Sequence, residues 1–351
     1  MNATPVPYVA LALQTACHTV NRCAESASAR AAMLASLERV ARQIAASRAF
    51  IGPALRLVVL PEYFLTGYPL GESLPGWAEK AALAPDGAEY RRMGEIAREL
   101  GLYISGNAYE TDPHFPGIYF QASFIFDDQG RQVLRYRRLV SLFAPTPHDL
   151  LDRYLEVYGP DALFPVADTP LGRLACIASE DIVYPEIARA LALRGAEVLL
   201  HSSSEVASPR LTPKDIAKRA RAYENCAYVV SANTGGIFGG DFPTDSTTGM
   251  SKLVDYKGEV LAEAGSGESM AANALIDVAA LRRQRLTPGM GNTLSRLRLE
   301  LFAKTYSGSI HPPNGMLDAQ GRIAVPERSQ LAATQRAVID ALIARGIFRD
   351  A

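Results

Sequence analysis

The sequence predicts an α/β fold, and two observations carry that expectation. Short apolar runs that read as strands buried on both faces alternate along the chain with longer stretches whose apolar residues fall at helical spacing. Polar or charged residues also stand at the ends of several of those runs, where α/β sheets place their functional groups. Composition excludes the alternatives. With 48% hydrophobic and 21% charged residues, and 27 Gly and 22 Pro dispersed rather than gathered in tracts, the 351-residue chain is neither disordered, collagen-like nor low in complexity. Thirty-six Lys and Arg against 37 Asp and Glu leave a formal charge of −1, without the basic footprint of a nucleic-acid or anionic-membrane binder.

The elements follow in order. YVALALQ (8–14) is a short buried strand, read as such rather than as a signal peptide because no positive segment precedes it. Residues 28–47 carry Met33, Leu34, Leu37, Val40 and Ile44 on one helical stripe, with Ser28 as the expected N-cap. A strand at 55–63 is stopped by Pro61, a helix at 89–101 by Gly101, and a strand follows at 102–110. Two more strands, 119–127 and 133–139, flank the hairpin turn Asp127-Asp128-Gln129-Gly130. The second half repeats the rhythm: strand 172–179, helix 184–195, strand 196–204, helix 212–226, strand 227–236 and a hairpin over 251–264. No linker divides these parts, so residues 1–284 are expected to form one domain. Residues 285–351 form an extension with an amphipathic helix at 329–346, expected to serve oligomerisation.

Cys17, Cys23, Cys176 and Cys226 show no CxxC pair and no metal-ligand spacing, which suits free thiols in a cytoplasmic protein. No apolar run reaches the ~20 residues of a membrane helix. No P-loop or G-x-G-x-x-G follows a strand, so neither a nucleotide cofactor nor a metal is expected.

Three strand ends hold the candidate chemistry: Glu62 after LVVLP, Arg138 after the hairpin strand, and Ser179 after CIA. Taken singly, each suits a solvated, edge-blunting or capping residue. Their order and surroundings resemble the nitrilase, or carbon–nitrogen hydrolase, superfamily. The resemblance runs over about residues 8–280. It rests on Leu57 to Tyr63 with Thr66-Gly67-Tyr68, on Asp128-Gln129-Gly130 followed by Tyr136-Arg137-Arg138, and on Gly172 to Glu186 at the family's spacing. Arg219 to Asn225, Ser231-Ala232-Asn233, Gly249-Met250-Ser251 and Gly258-Glu259-Val260 add to it.

The resemblance implies a four-layer αββα sandwich, a homodimer or higher homo-oligomer, and a Glu–Lys–Cys triad acting on amides or nitriles. Carried over by position, Glu62 matches the general base, whereas Arg138 stands at the Lys and Ser179 at the Cys. A thiol titrates near ~8.5 and ionises readily. A serine hydroxyl needs a strong adjacent base, and arginine has no transferable proton. Cys176 lies on the Ser179 strand but is expected to face away, into packing. The family's Tyr-Asn pair before the hairpin reads Tyr119-Phe120, so one ordering polar group is expected to be missing. A second site carboxylate is open among Asp149, Asp152 and Glu156. The expected function is a degenerate Glu62–Arg138–Ser179 site that binds a small amide, nitrile or carboxylate ligand with little hydrolysis, or a scaffold. The alternative is a diverged amidase or acyltransferase with Ser179 as nucleophile and Glu62 as base.

Overall fold

The computed structural model describes residues 5–142, 144–206, 208, 210–247 and 249–349. In chain order the elements are β1 (Tyr8–Ala12), β2 (Cys17–His18), α1 (Ser26–Ile51), β3 (Leu55–Val59), α2 (Leu74–Ala81), α3 (Ala88–Leu100), β4 (Tyr103–Thr111), β5 (Tyr119–Phe126) and β6 (Gln132–Arg137). Then come α4 (Leu151–Tyr158), β7 (Ala167–Thr169), β8 (Gly172–Ala178), α5 (Pro185–Leu193), β9 (Val198–Ser203), α6 (Pro213–Glu224), β10 (Tyr228–Asn233), β11 (Ile237–Phe238) and β12 (Lys252–Val254). The chain ends with β13 (Val260–Glu263), β14 (Asn273–Ile276), α7 (Val278–Leu286), the single turn α8 (Ala303–Tyr306) and α9 (Arg328–Ala344).

Two six-stranded sheets result, ordered β14-β1-β3-β4-β5-β6 and β13-β12-β10-β9-β8-β7. Each has a parallel centre, β1-β3-β4 in one and β8-β9-β10 in the other, flanked by antiparallel strands. The sheets face one another, burying Ala10, Ala12, Leu57 and Val59 against Cys176, Leu200 and Val230. Met33, Leu37, Val40 and Ile44 of α1 and Met93 and Ile96 of α3 cover Leu11, Val58 and Ile104 on one outer side. Helices α5 and α6 cover β8 and β10 on the other. This is the expected αββα arrangement, and it explains why the central strands are apolar at consecutive positions: both faces are covered.

Local details differ from expectation. Helix α1 begins at Ser26 with Glu25 as N-cap, and Ser28 lies in the first turn with its hydroxyl donating to the Glu25 carbonyl at 2.7 Å. Gly101 does end α3, in the left-handed conformation at φ 59°. The segment after α8 returns to the body: Asn314 and Met316 donate backbone hydrogen bonds to His148 and Asp149, and Met316 joins Phe115, Phe120, Leu150 and Tyr154.

Candidate active site

The three candidate residues each lie just past a strand. β3 ends at Val59, β6 at Arg137 and β8 at Ala178, so Glu62, Arg138 and Ser179 project from the turns that follow. The turns are tightly held. Tyr63 (φ 56°) and Ser179 (φ 50°) take left-handed backbone conformations that side-chain-bearing residues rarely adopt. Glu62 N–H donates to the Ser203 carbonyl at 3.2 Å, which ties the end of β3 to the end of β9 in the other sheet.

Glu62, Arg138 and Ser179 are all buried, with exposures of only 1%, 7% and 4%, and Glu62 and Arg138 lie together. Gln121 organises the pair. Its Nε2 donates to Glu62 Oε1 at 2.5 Å and to Asn107 Oδ1 at 3.1 Å, while its Oε1 accepts from Arg138 Nη1 at 2.8 Å. Only this amide orientation serves both neighbours, because a carboxylate accepts and a guanidinium donates. Arg138 also lies 3.8 Å from Glu62, pairs with Glu180, and donates through Nε to the Val140 carbonyl at 2.7 Å. Burial opposes its charge, but Tyr63, Glu62 and Glu180 beside it outweigh that and hold it protonated. The Tyr63 phenol beside Glu62 is pushed well above its ordinary value, first by burial and then by the carboxylate.

Ser179 has different company. Its Oγ makes one hydrogen bond among the described residues, with Lys214 Nζ at 3.1 Å, and Lys214 also reaches Ser203 Oγ at 3.5 Å. Its carbonyl oxygen lies 2.9 Å from His201 Nε2. A carbonyl can only accept, so Nε2 carries the proton and Nδ1 accepts from Ser231 Oγ at 2.8 Å. Burial, then the Lys218 charge, hold the His201 imidazole neutral, well below its usual range. Two residues beyond Ser179, Asp181 accepts from Tyr136 Oη at 2.5 Å, Leu139 N at 2.9 Å and Val140 N at 3.0 Å. Burial raises its carboxyl to about 6 against these lowering bonds.

The other candidates separate cleanly. Asp149 caps its own turn by accepting from Thr146 N and Oγ1, and Asp152 and Glu156 are exposed on α4. Cys176 points between the sheets, with Sγ 3.6 Å from Ser105 Oγ, and Cys17 donates to the Tyr63 carbonyl. Burial pushes both thiols up to about 12. Cys226 packs near Gly291 and Thr293. His114 meets Tyr158 edge to face and His148 meets His311 in the same way, and neither is bonded to Ser179. Among the described residues no cluster of three or more His, Cys, Asp or Glu is arranged to hold a metal ion.

Residues 14–286 match the carbon–nitrogen hydrolase family model. The chain belongs to this family. It is 32% identical over 220 residues to a hydrolase encoded in the pqqF 5′ region of Pseudomonas protegens, covering 62% of this chain and 71% of the other. It is 29% identical over 236 residues to the deaminated glutathione amidase of Yersinia enterocolitica, covering 66% and 76%. A branch 10 nitrilase-superfamily structure from Saccharomyces cerevisiae overlays with a TM-score of 0.64 at 21% identity, over 81% of this chain and 95% of that one. A carbon–nitrogen hydrolase from Helicobacter pylori overlays at 0.61 and 19%, over 86% and 99%. The two structures speak for the fold.

Four further groups touch Glu62, Arg138 or Ser179, namely Gln121, Glu180, His201 and Lys214. Gln121 fills the place of the polar group expected to be missing at Phe120. Strand alternation turns Phe120 toward Phe115 and Tyr154 and Gln121 toward Glu62, a parity readable from β5 itself. Glu180 lies inside the third signature and pairs with Arg138. His201 was legible only as part of an apolar strand, and Lys214 sits 35 residues from Ser179 on another element.

Proposed function

We propose that this family member binds small amide, nitrile or carboxylate ligands in the Glu62–Arg138–Ser179 site and hydrolyses ordinary amides and nitriles weakly or not at all. One observation carries the reading. The Ser179 hydroxyl receives a hydrogen bond from an ammonium, while the Glu62 carboxylate is engaged by Gln121 and Arg138 and, among the described residues, is not bonded to Ser179. A hydroxyl must lose its proton to attack, and a neighbouring ammonium does not remove it. The same ammonium would stabilise a thiolate, so the surroundings suit a cysteine better than the serine present.

A second reading, a diverged amidase or acyltransferase with Ser179 as nucleophile and Glu62 as base, draws on the backbone at Ser179. Its left-handed φ of 50° is the kind of strain that collects at reactive positions. One assay separates the two. Parent, Ser179→Ala and Ser179→Cys with Arg138→Lys are compared on short-chain amides, aryl nitriles and N-carbamoyl compounds. The first reading expects background rates from the parent and a gain in the double variant. Robust parental turnover that disappears in Ser179→Ala would establish the second.

The reading includes a cytoplasmic homo-oligomer. All four cysteines are free, and no described helix is long and apolar enough to cross a membrane. Leu193 of α5 and Leu299 and Phe302 beside α8 are about half exposed and line one apolar groove, which supports pairing of two copies there.

A further inference from the structure

Lys214 differs from the other cations near the site. Arg138 has Glu62 and Glu180, Lys218 has Glu205 and Asp215, and Lys252 has Asp215 and Glu263. No described carboxylate lies within ion-pair distance of Lys214, which is half-buried and directed at two hydroxyls, Ser179 Oγ at 3.1 Å and Ser203 Oγ at 3.5 Å. Each hydroxyl spends a lone pair on the ammonium, so its own proton is still available, and no described acceptor takes either one. Both serines are nearly inaccessible, at 4% and 0% exposure. Lys214, Ser179 and Ser203 therefore gather an ammonium and two hydroxyl protons with no described acceptor among them. Buried donors without acceptors are costly, and a ligand made only of acceptors relieves them.

We propose that Lys214, Ser179 and Ser203 form a binding site for a small carboxylate. The inference rests on the proposed non-hydrolytic function and names its ligand. A carboxylate brings two acceptor oxygens and a negative charge to three donors, and charge-assisted bonds of this kind are shorter and stronger than neutral ones. A primary amide of the same shape offers one acceptor oxygen and turns an NH2 group toward donors. The site thus selects the acid over the amide. Lys214 lies in the first turn of α6, whose N-terminal end also favours negative charge.

The test compares sodium propionate with propionamide by ligand-observed NMR titration of the full-length protein, with ionic strength matched by sodium chloride. Propionate should bind at least about tenfold more tightly than propionamide, the scale of one charged hydrogen bond. Lys214→Gln should weaken propionate about tenfold or more and leave propionamide unchanged, while Lys214→Arg should keep most of the affinity. Unfolding temperature, measured without ligand, should differ by only a few degrees among the three proteins, because the described bonds Lys214 has to lose are two to neutral hydroxyls. Equal binding of acid and amide, an unaltered propionate affinity in Lys214→Gln, or no saturable propionate binding up to about 50 mM would each overturn the proposal. Parental turnover of propionamide that is lost in Ser179→Ala would instead refute the non-hydrolytic reading, and the acid-against-amide comparison made in Ser179→Ala would still judge Lys214.

Discussion

Ser179→Cys, without any other change, should create a reactive thiol, and Lys214 should be the cause. Two native thiols calibrate the effect of burial, since Cys17 and Cys176 are raised from 9.0 to about 12 mainly by desolvation. Residue 179 is almost as inaccessible, so burial alone would leave a cysteine there equally inert. The ammonium changes the balance. At roughly 3.5 Å and an effective dielectric near 20, an ammonium and a thiolate attract by about 5 kcal/mol. That brings a thiol at about 12 back to about 8 or 9, since about 1.4 kcal/mol moves a pKa by one. At pH ~8 the thiolate fraction then rises about a thousandfold over that of a buried thiol with no cation. The assay is iodoacetamide labelling at pH ~8, followed at each cysteine-containing peptide by mass spectrometry, because Cys23 is only partly buried and will label by itself. Ser179→Cys is compared with Ser179→Cys, Lys214→Met, which presents the same access to reagent. Equal labelling of residue 179 in the two proteins would refute the reasoning, as would labelling as slow as that of Cys176 in both.

His201 should shape the acid limb of stability. Its imidazole is held neutral when folded but protonates near its ordinary value when unfolded, so its contribution is present above about pH 6.5 and is lost as pH falls. Replacing it by Gln keeps a donor for the Ser179 carbonyl, and the variant's deficit in urea-melt stability should shrink by about 1.4 kcal/mol for each pH unit between about 6 and 5. A deficit independent of pH over that interval would contradict a neutral buried His201. Asp181 has the opposite sign: its carboxyl is raised to about 6, so its stabilising effect is full below its unfolded value and fades as pH rises through 6. In solution at micromolar concentration we expect light scattering to give twice the 37.9 kDa chain mass, and Leu193→Arg with Phe302→Arg to halve it. A monomeric parent would remove that groove as an interface.

The sequence carries the sandwich because its central strands are covered on both sides and so are apolar without interruption. The three strand-end residues are legible for the same reason, since Pro61-Glu62, Arg138 and Ser179 break apolar runs abruptly. What escapes is short or distant. β7 and β14 have three and four residues, too few for alternation to register, and α2 and α4 are only eight residues long. Lys214 belongs to a segment, TPKDIAKRAR, whose charges read as a solvated helix face. Only the folding of β9 against β8 brings its first turn over Ser179. Gln121 lies one residue past Phe120, and the two-residue period of β5 places it on the side of Glu62.

The Asp181 carboxylate has a consequence for how such a site can change over time. It lies two residues after Ser179 and holds the backbone of Leu139 and Val140, the two residues after Arg138. The frame is drawn largely by a carboxylate and backbone amides, to which the Arg138 guanidinium adds one bond on the Val140 carbonyl. Exchanging the side chain at 179 is therefore expected to leave the two turns where Asp181 holds them. Where position rests largely on residues other than those that carry the chemistry, a protein can pass from one activity to another, or to none, through substitutions that its folding scarcely registers.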